Sequence, residues 1–173
     1  MNDLNEHKVS TGTLLSKEQF DRIFACLSDL AVKLRVSAVF LTDGTGNVVA
    51  QRSSARFVGD ATVLSTLAAG SFAATNEIAR MLGETEPFRM VLHEGKNHNV
   101  FVCTVCLDYF LVVVFDSGTA LGMIRLFTKR TVEQMQPVLM QQASEPFNLG
   151  QVFGGDFESR LGQELDRSFK DCL

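Results

Sequence analysis

The side chains best placed to do chemistry are the thiols of Cys103-Thr104-Val105-Cys106, whose spacing suits a redox pair or half of a zinc site, with His93 and His98 a few residues upstream. A closed zinc site needs four ligands, usually from two such pairs, and no second Cys-x-x-Cys occurs in the chain. The pair also lies in a run of strand-forming residues, where positions three apart point to opposite faces. The spacing therefore predicts two separate buried thiols rather than a metal or redox centre. His93-Glu94 has the types of an acid–base pair, but no nucleophile motif accompanies it, and the adjoining Gly95 makes a turn-capping role the expectation. Gly44-x-Gly46 lacks a third glycine, since position 49 is Val49, and it leads into a strand rather than a helix, unlike a dinucleotide loop. No Gly-x-x-x-x-Gly-Lys-Ser/Thr phosphate loop is present. Arg125, Lys129 and Arg130 form a small basic patch that reads as a solvated helix face. These residues supply no catalytic set, no cofactor site and no metal site, so the chain is expected not to be an enzyme.

The elements around them are legible from periodicity. Ser16 and Gln19 have the spacing of a capping box. Phe20, Ile23, Phe24, Leu27, Leu30, Ala31 and Leu34 then recur as one apolar stripe, predicting a one-sided helix. Ala38–Leu41 and Val48–Ala50 flank a turn in which Gly44 and Gly46 can supply positive φ, which predicts a hairpin. Asp60 can cap a second helix ending near Leu82, with Gly83 as its C-terminal signal. Its expected core stripe is Leu64, Leu67, Ser71, Ala74, Ile78 and Leu82. Between these, residues 68–74 are all small except Phe72, and Gly70 disfavours helix by about 1 kcal/mol relative to alanine. That smoothness fits either dense packing on the chain's own sheet or a helix held between its sheet and a second chain.

Phe88–His93, Val100–Val105 and Phe110–Phe115 follow as a meander, and the last of these is apolar throughout, as a strand covered on both faces should be. Asp116-Ser117-Gly118-Thr119 is expected to cap a third helix with Ala120, Met123, Ile124, Phe127, Thr131 and Val138 inward and Pro137 ending or kinking it. The order α-β-β-α-β-β-β-α predicts an α/β sandwich over residues 16–140, after a flexible start over 1–15. Residues 141–155 have the Gln, Ser, Pro, Asn and Gly content of a linker. Over 156–173, Phe157, Leu161, Leu165 and Phe169 recur every fourth residue, predicting an amphipathic C-terminal tail helix that needs a groove, on its own domain or on a partner.

Composition narrows the class. A chain of 173 residues with 46% hydrophobic and 21% charged residues has the profile of one globular domain. Its 16 basic and 20 acidic residues give a net charge of −4, which argues against nucleic acid or an anionic membrane as partner. The N-terminal residues lack the layout of a secretory signal, no run is long enough to span a bilayer, and four cysteines with no Asn-x-Ser/Thr acceptor suit a cytoplasmic protein.

Several strings, taken with this order of elements, resemble the roadblock/dynein light chain family: VFLTDGTGNVVA from Val39, LSTLAAGSFAATNEIARMLGE from Leu64, VLHEG from Val91 and VVVFDSGTALGMIRL from Val112. The resemblance is strongest to the bacterial members that regulate the small Ras-like GTPase MglA. It implies a five-stranded antiparallel sheet, the second helix on one face and the first and third on the other. It also implies a homodimer, built by side-by-side second helices and by the third strand, with one GTPase seated on the platform that two chains make. Binding would position the GTPase's own catalytic residues, without an arginine finger from this chain, in cell polarity or motility.

Carried over by position, Thr66, Gly70, Ala73, Glu77 and Arg80 would face the GTPase. Ala69 and Phe72 would lie near the dimer seam, Met90 and Leu92 on the third strand would complete it, and the tail residues Phe157, Leu161, Leu165 and Phe169 would grip the partner. Glu77 departs from the small residue the family leads one to expect there, and a carboxylate in a close contact needs a basic partner or water. Two other readings stay open: a roadblock scaffold that binds a GTPase or motor complex without activating it, and a PAS-like small-molecule sensor.

Overall fold

The computed structural model describes residues 15–106 and 109–141. The expectations for residues 1–14 and for the linker and tail beyond 141 lie outside the described residues.

Helix α1 (Lys17–Leu34) begins with the expected box: Ser16 accepts from the Gln19 backbone N–H and the Gln19 side chain accepts from the Ser16 backbone N–H. Its buried side chains are Ile23, Leu27, Leu30 and Leu34, and it stops at Arg35, whose φ of 50° is left-handed. Strands β1 (Ala38–Asp43) and β2 (Val48–Ser53) form the hairpin. At its turn the Asp43 carboxylate accepts from the backbone and side chains of both Thr45 and Asn47. Burial opposes the charged form of Asp43, but these hydrogen bonds together outweigh it and hold the carboxyl below its ordinary value. Of the two turn glycines only Gly46 has positive φ, +90°, and a Cβ there would meet the Thr66 Cα at 2.5 Å. The carboxylate network takes over the turn-setting role expected of Gly44.

Helix α2 (Ala61–Met81) is capped by Asp60, which accepts from the Thr62 and Val63 backbone N–H groups, and Gly83 follows its end at φ +76°. Strands β3 (Met90–His93), β4 (His98–Cys106) and β5 (Tyr109–Asp116) form the meander, β3 being shorter than expected. Helix α3 (Leu121–Met140) has Ala120 at its N-cap with no side-chain cap, because Asp116 is still in β5 and Thr119 closes a turn onto its carbonyl. Pro137 does not end this helix, which continues through Met140. The Val138 carbonyl in its last turn accepts from the Gln19 side chain at 3.1 Å, tying the end of α3 to the start of α1. Met123, expected inward, is 45% exposed, and Thr128, Met135 and Leu139 are buried instead, with Ile124, Thr131 and Val138.

The five strands run β2-β1-β5-β4-β3, every neighbouring pair antiparallel. β5 sits in the middle and is buried on both faces, as its continuous apolar run predicts. Strand alternation sends Val39, Leu41, Leu111 and Val113 into one core with α1 and α3, and Ala38, Phe40, Val112 and Val114 into a second core with α2. The roadblock arrangement expected from the resemblance is the one observed.

Candidate functional site

Helix α2 buries Ser65, Ala68, Ala69, Phe72 and Ala79 and packs on the sheet's core through Ala68 and Phe72, with Leu64 half-buried against them as expected of its stripe. Phe72 is 2% exposed and its ring lies 4.7 Å from that of Phe110. Leu67, Ile78 and Leu82, expected in the core, are 65%, 51% and 69% exposed, and Ala74 is exposed as well. The reason is steric. Small side chains let the helix backbone come close to a sheet already filled by Phe40, Val112 and Val114, and one aromatic fills the remaining gap. Leu67, Ile78 and Leu82 are thereby rotated toward solvent.

Thr66, Gly70, Ala73, Glu77 and Arg80 all lie on that outward face and are exposed. Among the described residues a Cβ built on Gly70 meets nothing within 4 Å, so none of them requires a glycine there. Glu77 is held by Arg80 on the next turn at 2.6 Å, both side chains more than half exposed, so the carboxylate has found its basic partner on its own helix. Beside this stripe Val63, Leu67, Ala74, Ile78 and Met81 continue an apolar surface. The flank also carries Ser71, whose Oγ lies 3.2 Å from His93 Nε2 and ties α2 to β3. His93 is thus engaged with a hydroxyl on α2 rather than paired with Glu94 or capping its turn.

The residues carried over for a dimer seam are not brought together. Ala69 and Phe72 are buried inside the single chain, so they present almost no surface to a partner. Met90 and Leu92 pair with Cys103 and Phe101 and so lie on the α1–α3 side of the sheet. Val91 and His93 are the β3 residues on the α2 side. The helix surface beside β3 is instead built from Leu67 and Ile78, which hydrophobic periodicity assigns to the core. The signal that points to them is the run of small residues, since close packing on one side forces large side chains to the other.

The cysteines form no centre. A register shift between Thr104 and Cys106 breaks the strand alternation, so Cys103 and Cys106 both pack against the α1–α3 core, contrary to the opposite faces expected. Cys103 is 7% exposed and burial pushes its thiol up to about 12, far from a reactive thiolate. Among the described residues no group of three His, Cys, Asp or Glu side chains could hold a metal ion, and no helix is long and apolar enough to cross a membrane.

The Roadblock/LC7 domain profile matches residues 27–115, just over half of the chain and the whole of the sheet with α2. The chain belongs to the Roadblock/LC7 family. Solved structures similar to this roadblock domain include an MglB with tetrameric arrangement, at 26% identity and a TM-score of 0.72 over 78% of this chain and 99% of that one. The gliding protein MglB of Thermus thermophilus is 27% identical with a TM-score of 0.70, covering 77% of this chain and 99% of its own. Myxococcus xanthus MglB is 27% identical with a TM-score of 0.69, covering 78% and 99%. No curated sequence matches the chain. The family is one of regulatory domains.

Proposed function

We propose that this chain is a homodimeric, cytoplasmic regulator of an MglA-like small Ras-like GTPase, which docks on the outer face of α2 and is stimulated to hydrolyse GTP by repositioning of its own catalytic residues. The observation that carries the reading is Gly70: it weakens α2 by about 1 kcal/mol relative to alanine, yet none of the described residues approaches it. A helix glycine with that cost and no internal use fits a surface against which another backbone is laid. The exposed Leu67, Ile78 and Met81 beside it add apolar area of the kind that marks protein contacts. The similarity to MglB structures supports the same partner class.

In this reading Thr66, Gly70, Ala73, Glu77 and Arg80 meet the GTPase. Leu67, Ala74 and Ile78 replace Ala69 and Phe72 at the seam between two α2 helices, and the exposed edge of β3 pairs with its counterpart. The tail residues Phe157, Leu161, Leu165 and Phe169 add a second grip. Single-turnover GTP hydrolysis by an MglA-type GTPase, titrated with this protein, tests it. The expected result is acceleration that saturates at about two chains per GTPase. Binding without acceleration would leave a scaffold and overturn the activating role, and no binding would overturn the docking surface.

A further inference from the structure

On the α1 side of the sheet, away from α2, the end of α1 and the end of β2 enclose an open cleft of about 330 Å³. Its lining combines Arg35, Arg52 and Arg56 with Ala31, Val32 and Val36. Three arginines lining one cleft stand out on a chain whose net charge is −4. Their roles differ. Arg56 is committed internally, donating to the Arg35 backbone carbonyl at 3.1 Å and pairing with Asp116 at 3.3 Å. The Arg52 guanidinium lies 5.9 Å from the Phe24 ring centre, which aims it without neutralising it. Among the described residues neither Arg35 nor Arg52 makes an ion pair. Arg35 has a left-handed backbone at the end of α1.

Two further features choose the class of ligand. Val32 is 75% exposed at the cleft, an apolar contact that a bare phosphate would not use. β2 is an edge strand, so alternate backbone N–H and C=O groups along it face outward and can accept another strand. We propose that this cleft docks an extended, carboxylate-bearing peptide segment of a partner protein, laid along the β2 edge with its acidic side chains on Arg35 and Arg52 and an apolar side chain on Val32. None of the cleft's lining residues belongs to α2, so the site and the proposed GTPase surface share no side chain.

Fluorescence anisotropy of the full chain with a labelled peptide of alternating Glu and Val tests the proposal. The peptide should bind saturably, and its Gln-for-Glu counterpart should bind at least about tenfold more weakly. The neutralising pair Arg35→Asn and Arg52→Gln, chosen because Asn tolerates the left-handed backbone, should lose about tenfold in affinity. The same charge change on α3, Arg125→Gln with Lys129→Gln, should alter it less than about twofold, and circular dichroism melts would confirm that all variants fold. Equal losses from the two pairs would mean unspecific attraction and overturn the site. So would absence of peptide binding, or binding of inorganic phosphate in its place.

Discussion

The two faces of the sheet are covered in opposite ways. On one, α1 and α3 bury large side chains, Ile23, Leu27 and Leu30 from α1 and Ile124 and Met135 from α3, and keep mostly polar residues outside. On the other, α2 buries small residues around Phe72 and leaves Leu67, Ile78, Met81 and Leu82 in solvent. The first face has its large buried side chains supplied by the chain itself, although Val32, Met123 and Leu126 remain exposed on it. The second leaves apolar area in water that would contribute roughly 25 cal/mol per Å² to association if a partner covered it, as proposed above. A domain can therefore place its stability on one side of a sheet and its partner surface on the other.

The sharpest way to break this contrast is Ala73→Arg, which puts a long charged side chain in the middle of the exposed α2 face. GTPase binding should be abolished with the circular dichroism spectrum unchanged; a loss of fold would move Ala73 into the core and end the distinction. Phe72→Ala, on the buried side of the same helix, should destabilise the chain by about 3–5 kcal/mol in urea unfolding. Leu67→Ala should change monomer stability by no more than about 0.5 kcal/mol while weakening self-association. Gly46→Ala should cost about 2 kcal/mol, since φ is positive there and the new Cβ would press on the α2 backbone at Thr66. Gly70→Ala should do the opposite and raise stability by about 1 kcal/mol, while leaving less room for a docked partner.

The smallest effect belongs to Asp43. Its carboxyl is held below the ordinary aspartate value, so its stabilising contribution is full above the unfolded-state pKa and is lost as the pH falls through the lower folded-state value. Asp43→Asn should flatten the acid limb of the stability curve in that range and leave the limb above neutral pH unchanged, as measured by thermal melts across a pH series.

What the chain's residues determined alone was local and periodic: the Ser16–Gln19 box, the α1 stripe, the Asp60 cap, Gly83 after α2, and the all-apolar β5 at the centre of the sheet. Each rests on contacts within a few positions or on a repeat that matches a single element. The stripe Thr66, Gly70, Ala73, Glu77 and Arg80, which is exposed, came from the family resemblance carried over by position and not from periodicity. Tertiary structure decided which way α2 faces. Hydrophobicity alone turned Leu67 and Ile78 inward, whereas the distance between helix and sheet, set by Ala68 and filled by Phe72 against Phe110, turned them outward. It also decided the company of Cys106, where a strand irregularity overrode alternation, and the meeting of Arg35 at the end of α1 with Arg52 and Arg56 at the end of β2. Such outcomes depend on the separation and register of elements distant in sequence, which no local pattern encodes.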